Sequence, residues 1–128
     1  MTRHQTMSSV DLIQDAIAVH SFWKARLRTA VSSEKFDVAI ATVKADDQCD
    51  FGKWLYGSEL SAAEKETERC RTVRLLHAQF HQEAAKVVEW ATSGQKSKAE
   101  EAIGLCGSYS KASRLLTEAM VEWRENLR

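Results

Sequence analysis

Residues 9–32 read SVDLIQDAIAVHSFWKARLRTAVS, and this stretch decides the fold class. Its inward positions recur at steps of three and four residues, which is the spacing of one face of an α-helix. Those positions are Val10, Ile13, Ile17, His20, Leu27 and Val31. Lys24 is the one step that interrupts the apolar pattern, and Ser8 or Ser9 can cap the start. We therefore predict a helix over about residues 9–32.

Two further long helices are predicted from the same spacing. The first runs from about Ser61, a cap with Glu64 three residues on, to Ala91, and Gly94 lies just beyond its end. Its inward positions are Val73, Leu76, Phe80, Ala84, Val87 and Ala91. The inward positions of the last helix are Ala99, Ala102, Cys106, Tyr109, Ser113, Leu116, Met120, Trp123 and Leu127. Three long helices joined by short turns predict an all-α fold, an antiparallel helical bundle.

Two shorter segments separate the first two long helices. One face of residues 34–48 can form a short helix, with apolar side chains at Phe36, Ile40 and Val43. Residues 49–57 read CDFGKWLYG. Asp46 or Asp47 can cap a short helix here, which would place Cys49 in its first turn.

Composition excludes several classes of protein. The chain has 128 residues, so we predict a single domain over residues 1–128 with a core over about residues 9–127. Proline is absent, which favours unbroken helices. Lysine plus arginine equals aspartate plus glutamate at 18 each, so no basic surface for nucleic acid or anionic lipid is expected. Because no apolar stretch approaches the roughly 20 residues of a membrane span and no signal peptide is seen, we expect a cytoplasmic protein without membrane insertion.

The three cysteines are too few and too widely spaced for a disulfide scaffold. Cys70 lies two helical turns, about 10 Å, from His77, and Cys106 lies between two glycines, so both are expected to be structural. Cys49 differs, because a cysteine at a helix start is expected to have a lowered thiol pKa, which favours the metal-binding thiolate.

Three of the four histidines occupy positions that indicate a metal site. His20 lies in the apolar stripe of the first helix, and His77 and His81, four residues apart, project from one face of a later helix. Taken alone, the pair is more typical of hydrogen-bonded or solvated histidines than of a metal site. However, the midpoints of the helices predicted over residues 9–32 and 61–91 fall near His20 and His77. If these helices pack side by side, the three imidazoles lie at the same height along the bundle axis. His4 is expected to be solvated.

A shared cation gives every one of these buried rings a partner. With Cys49 as the fourth ligand, three imidazoles and a thiolate form a tetrahedral set that favours Zn²⁺ over Mg²⁺ or Ca²⁺. Copper(I) also accepts a thiolate and remains an alternative.

Three motifs resemble the chemoreceptor zinc-binding domain family. They are, in order, HSFW at residues 20–23, CDFGKWLYG at residues 49–57 and LLHAQFH at residues 75–81. The resemblance implies a four-helix bundle, with its fourth helix near residues 36–43, and four zinc ligands at His20, Cys49, His77 and His81. It further implies a bacterial cytoplasmic sensor domain of chemotaxis or cyclic-di-GMP signalling. A homodimer and a chemoreceptor or diguanylate cyclase partner are expected, as is a zinc-bound cysteine that responds to zinc level or to oxidants such as hypochlorous acid.

Several residues are expected to surround the ligands. Cys49 is expected to be the labile, redox-sensitive ligand, because it comes from a short glycine-containing segment. Asp50 can orient a ligand or tune the thiol, with a solvated aspartate as the alternative. Trp23 and Trp54 are expected to pack around the site.

Other classes of function fit less well. A zinc hydrolase keeps an open coordination position and a nearby base, so a four-ligand site predicts a protein that is not an enzyme. A di-iron bundle needs Glu-x-x-His motifs, which the sequence lacks. A helical dimerisation bundle with a structural metal remains the alternative to a sensor.

Overall fold

The computed structural model describes residues 8–127, and these residues are helical without any strand. The helices are α1 Ser9–Ser33, α2 Ile40–Lys44, α3 Asp50–Tyr56, α4 Ala62–Lys65, α5 Glu68–Thr92, α6 Lys96–Ile103 and α7 Ser108–Leu127. The prediction of an all-α fold with an additional short helix beside Cys49 is confirmed.

The first helix begins and ends close to its predicted limits. The Ser8 side chain accepts a hydrogen bond from the Asp11 amide at 3.1 Å, which caps the N-terminus of α1. Glu34 adopts a left-handed conformation with φ of 60° and closes the C-terminus. His20 therefore lies near the middle of a straight run of helical backbone.

The prediction of one continuous helix from Ser61 to Ala91 is wrong, because the structure has two helices there, α4 and α5. Ser61 does cap a helix, accepting from the Glu64 amide at 3.1 Å, but that helix, α4, ends at Lys65. Thr67 then has an extended backbone, and its side chain accepts from the Cys70 amide at 3.3 Å, which starts α5. The second cap at Thr67 starts a new helix here, because it satisfies an amide that the helix start leaves free.

The predicted last helix is also interrupted. A turn over residues 104–107 separates α6 from α7, and Gly104 adopts an extended backbone there. A Cβ at Gly107 would lie 2.2 Å from the carbonyl oxygens of Glu101 and Ala102, so this close approach requires glycine. Cys106, predicted as an inward helical residue, is instead exposed in this turn.

The segment expected to supply a fourth bundle helix forms only the five-residue α2. Phe36 lies outside that helix and packs against Trp23, with ring centroids 6.2 Å apart. Val43 is buried, and α2 packs against α5. The helix expected near residues 36–43 therefore forms, but it covers only Ile40–Lys44, and the apolar Phe36 packs from the irregular connection before it.

The long helices α1, α5 and α7 pack against one another around one core. Arg124 near the end of α7 donates to the Gln14 side chain near the start of α1. The indole of Trp123 donates to Glu64, just before α5, at 2.8 Å. These contacts make α7 antiparallel to both α1 and α5, and they make α1 and α5 parallel to each other. No helix within residues 8–127 has the length and apolar character to cross a membrane.

Candidate metal centre

Side chains from three separated segments meet between α1 and α5. They belong to His20, Cys49, His77 and His81, which we call the quartet. One ligand atom of each residue lies within 4.8 Å of the corresponding atom of every other. The four positions singled out in the sequence are thus brought together by the fold.

The helices place the three imidazoles at one level. His20 projects from the middle of α1, and His77 and His81 lie one turn apart on α5. Each of the three is at most 2% exposed. The Nε2 atom of His77 lies 3.2 Å from Nε2 of His20 and 3.1 Å from Nε2 of His81.

Cys49 completes the quartet from the side of α3. Its Sγ atom lies 3.4 Å from Nε2 of His77 and 3.7 Å from Nε2 of His81. Cys49 is itself the N-cap of α3, and its sulfur accepts from the Gly52 amide at 3.4 Å. The predicted cap at Asp46 or Asp47 is therefore wrong, since the cysteine takes that position.

The spacing of these atoms fits a tetrahedral metal ion. With metal–nitrogen bonds of about 2.0–2.1 Å and a metal–sulfur bond of about 2.3 Å, two nitrogens lie about 3.3 Å apart and nitrogen lies about 3.6 Å from sulfur. Four of the six distances among the ligand atoms scatter around those values. They are the nitrogen–nitrogen distances of 3.1 and 3.2 Å and the sulfur–nitrogen distances of 3.4 and 3.7 Å, and the other two are at most 4.8 Å. Three imidazoles and a thiolate are also the donors that zinc accepts.

Backbone carbonyls orient two of the rings. Nδ1 of His20 donates to the Ala16 carbonyl at 2.7 Å, and Nδ1 of His81 donates to the Val43 carbonyl at 3.0 Å. Because a carbonyl oxygen only accepts, Nδ1 carries the proton and the Nε2 lone pair points inward. Sequence reasoning missed both acceptors. Nothing in the sequence marks Val43 as the acceptor, whereas Ala16 lies one helical turn before His20.

The family comparison covers the whole quartet. The family model described as chemoreceptor zinc-binding domain matches residues 20–88. The chain belongs to the chemoreceptor zinc-binding domain family. No curated protein and no solved structure matches it significantly.

Burial keeps the imidazoles of this zinc-binding domain neutral. It lowers the pKa of His20 to about 4 and that of His77 to about 2, and it lowers the pKa of His81 as well. Neutral rings are the form that binds a metal, so all three are ready to coordinate at neutral pH.

The pKa of the Cys49 thiol shifts in the direction opposite to the one expected from the sequence. Burial raises its pKa and outweighs the lowering by backbone amides at the start of α3, so the predicted lowered pKa is wrong for the protein without a cation. A cation among the three neutral rings supplies the positive charge that a thiolate needs. In this family of zinc-binding domains, the metal and the thiolate are therefore expected to stabilise each other.

Trp23 and Trp54, which were expected to pack around the site, have different contacts. Trp23 packs edge-on to His81, with ring centroids 6.3 Å apart. Trp54 packs on Phe51, with ring centroids 5.8 Å apart, and on Trp123 at 5.5 Å, and Phe51 in turn packs edge-on to His20 and His77. Asp50 is exposed, and its charge contributes to the raised pKa of the thiol.

The remaining cysteines and histidine lie outside the quartet. Cys70 is fully buried in the core, as expected of a structural residue, whereas Cys106 is exposed. His4 lies outside the described residues.

Proposed function

We propose that this chain is a zinc-dependent sensor domain of bacterial signalling, in which the quartet binds one Zn²⁺ and Cys49 is the ligand that responds. The tetrahedral spacing of the quartet carries this proposal, and membership of the family supports it. A bound zinc ion supplies positive charge to the thiolate and joins α1, α3 and α5 at one point.

Cys49 is less buried than the other three ligands and adjoins a shorter helix. The histidines are almost fully buried on helices of 25 residues, whereas Cys49 is partly buried and precedes a helix of seven residues. Short segments with few packed neighbours open at lower free energy than long core helices. Loss of the sulfur ligand therefore frees α3 first.

Hypochlorous acid is the oxidant class that we propose for this cysteine. The thiolate sulfur attacks the chlorine atom, the chlorine–oxygen bond breaks and hydroxide leaves. Water then replaces chloride on sulfur, and the proton that it releases neutralises the hydroxide. The net change gives a sulfenic acid and chloride from a thiolate and HOCl. Sulfur loses two electrons, and chlorine gains them. Because a sulfenic acid is a weaker metal ligand than a thiolate, oxidation loosens the attachment of the Cys49 segment.

Two contacts can transmit a movement of α3 to the end of α7. The Trp54 ring lies on the fully buried Trp123 ring. At the other end of α3, Lys65 donates to the Gly57 carbonyl at 2.6 Å, which joins α3 to α4. We propose that these contacts pass the state of the site to a chemoreceptor or diguanylate cyclase partner, with the domain acting as a homodimer.

Metal content combined with oxidant titration tests this function. Wild-type protein purified without added metal is expected to carry one zinc per chain and to release it on treatment with hypochlorous acid. Cys49→Ala should retain zinc poorly, whereas Cys106→Ala, which removes an exposed cysteine outside the quartet, should match the wild type. Zinc that stays bound while Cys49 is oxidised would instead indicate a structural metal in a dimerisation bundle. No zinc in the wild type would contradict the site.

A further inference from the structure

A pocket of about 350 Å³ opens between α1 and α3 beside the quartet. Its volume lies at the lower end of the range found for small-molecule sites. His20 and Cys49 form part of its lining, and its apolar walls include Leu12, Val19, Phe51 and Trp54. The pocket therefore joins solvent to two residues of the quartet, one of them the cysteine of the proposed sensor.

The other sides of this sulfur are occupied by protein. His77 and His81 lie 3.4 and 3.7 Å away, and the Gly52 amide lies at 3.4 Å. Both histidines are buried. A reactant that approaches Cys49 therefore arrives from the pocket.

The charged groups of the pocket have one sign. Asp15 of α1 and Asp50 of α3 line it, and both residues are exposed. No lysine or arginine from the described part of the chain lines it. Two carboxylates beside apolar walls lower the local concentration of anions, and they oppose the single net positive charge of a site that holds Zn²⁺, three neutral imidazoles and one thiolate.

We propose that this pocket is the entrance to Cys49 and that Asp15 and Asp50 make it selective for small uncharged reactants over anions. The inference rests on the proposed function and names its substrate class. Neutral hypochlorous acid would enter, whereas the hypochlorite anion would be repelled. The chemical step stays the oxidation of the thiolate by HOCl to a sulfenic acid and chloride.

Two alkylating reagents of nearly equal size test the selectivity on the zinc-loaded protein. Iodoacetamide is neutral and iodoacetate is an anion, and with either one the thiolate forms a sulfur–carbon bond while iodide leaves. Both rates depend in the same way on the thiol pKa and on the zinc affinity, so these two quantities drop out of the ratio of the rates at one cysteine. Mass spectrometry gives this ratio at Cys49 and, in the same sample, at the exposed Cys106, which lies away from the pocket.

A carboxylate about 7 Å from an anionic reagent in water-like surroundings lowers its local concentration about threefold. At low salt, the two carboxylates should together raise the neutral-to-anion ratio at Cys49 about ninefold. Asp15→Asn should thus lower this ratio about threefold and the double variant with Asp50→Asn about ninefold, while the ratio at Cys106 stays the same. Asp11→Asn, one turn earlier on α1 and outside the pocket lining, should leave the ratio at Cys49 unchanged. Raising the salt concentration should shrink the difference between the wild type and the double variant.

A ratio at Cys49 that is unchanged in Asp15→Asn and in the double variant would overturn the proposed selectivity. Alkylation of Cys106 without any reaction of Cys49 would overturn the entrance itself. The zinc content of the same samples reports separately on the proposed function, so a failure of one can be told from a failure of the other.

Discussion

Replacing Gly52 with alanine tests how the Cys49 segment holds its sulfur in place. A Cβ at this position would lie 1.8 Å from the Asp46 carbonyl oxygen, 2.8 Å from the Asp46 carbonyl carbon and 3.0 Å from the Cα of Asp47. All three atoms belong to the backbone, so no side-chain rotation relieves the overlap. Either α3 or residues 46–47 must shift, and the Gly52 amide that donates to Cys49 shifts with them.

The magnitude follows from two opposing terms. Alanine is favoured over glycine inside a helix by about 1 kcal/mol. Overpacking costs about 1–3 kcal/mol, and contact with rigid backbone belongs at the upper end of that range. We therefore expect Gly52→Ala to lower the free energy of unfolding by about 1–2 kcal/mol and to weaken zinc binding at least tenfold, which corresponds to about 1.4 kcal/mol.

Gly94→Ala is the matched control. Gly94 has a φ of +82° with nothing within 4 Å of an added Cβ, so alanine there costs about 1–2 kcal/mol of backbone strain without touching the site. Urea unfolding should show a loss of stability in both variants. Competition with a chromophoric chelator should show weaker zinc binding only in Gly52→Ala. A Gly52→Ala protein that is more stable than the wild type, with unchanged zinc affinity, would refute this reasoning.

Three further predictions concern the histidines, Glu64 and Cys70. Zinc-free protein should lose stability as the pH falls from 6.5 to about 4. In that range the unfolded chain takes up a proton that folded His20, with its pKa of about 4, does not. The slope should be at least about 1.4 kcal/mol per pH unit in urea unfolding at several pH values, and a flat profile would contradict the burial of neutral rings. Glu64→Ala leaves the buried indole N–H of Trp123 without its acceptor and should cost about 1–3 kcal/mol in thermal unfolding, whereas Glu64→Gln keeps an acceptor and should cost less. Cys70→Ser buries a hydroxyl and should destabilise the fold without changing zinc content, and a loss of zinc at unchanged stability would show that Cys70 is a ligand.

The meeting of the histidines could be predicted because it depends on regular helix geometry. A four-residue spacing puts His77 and His81 on one face, whatever their surroundings. The position of His20 at mid-helix depends only on the helix limits, which the Ser8 cap and the apolar spacing mark clearly. Convergence of these side chains therefore needed no knowledge of the connecting segments.

The interruptions of the helices could not be predicted from periodicity. The apolar spacing runs on through the Gly104–Gly107 turn, and only close backbone contacts end α6 there. The start at Ser61 was inferred from its cap, and the second cap at Thr67 ends that helix early. The short helix expected around Phe36 and Val43 forms only over Ile40–Lys44, and Phe36 packs from the preceding connection.

The groups that surround the ligands could not be predicted from the sequence. The Val43 carbonyl that orients His81 is a backbone group, which every residue type provides. The pKa of Cys49 depends on two opposing effects, and only the effect of the helix start could be inferred from sequence position. Burial by residues far along the chain raises the pKa of Cys49 by more than the helix start lowers it.

X-ray absorption at the zinc edge, on protein purified without added metal, tests the central claim most directly. The account predicts one zinc per chain with three nitrogen neighbours at about 2.0–2.1 Å and one sulfur neighbour at about 2.3 Å. Cys49→Ala should lose the sulfur neighbour, and Cys106→Ala should keep it. A spectrum with only nitrogen and oxygen neighbours in the wild type would contradict the three-histidine, one-cysteine site.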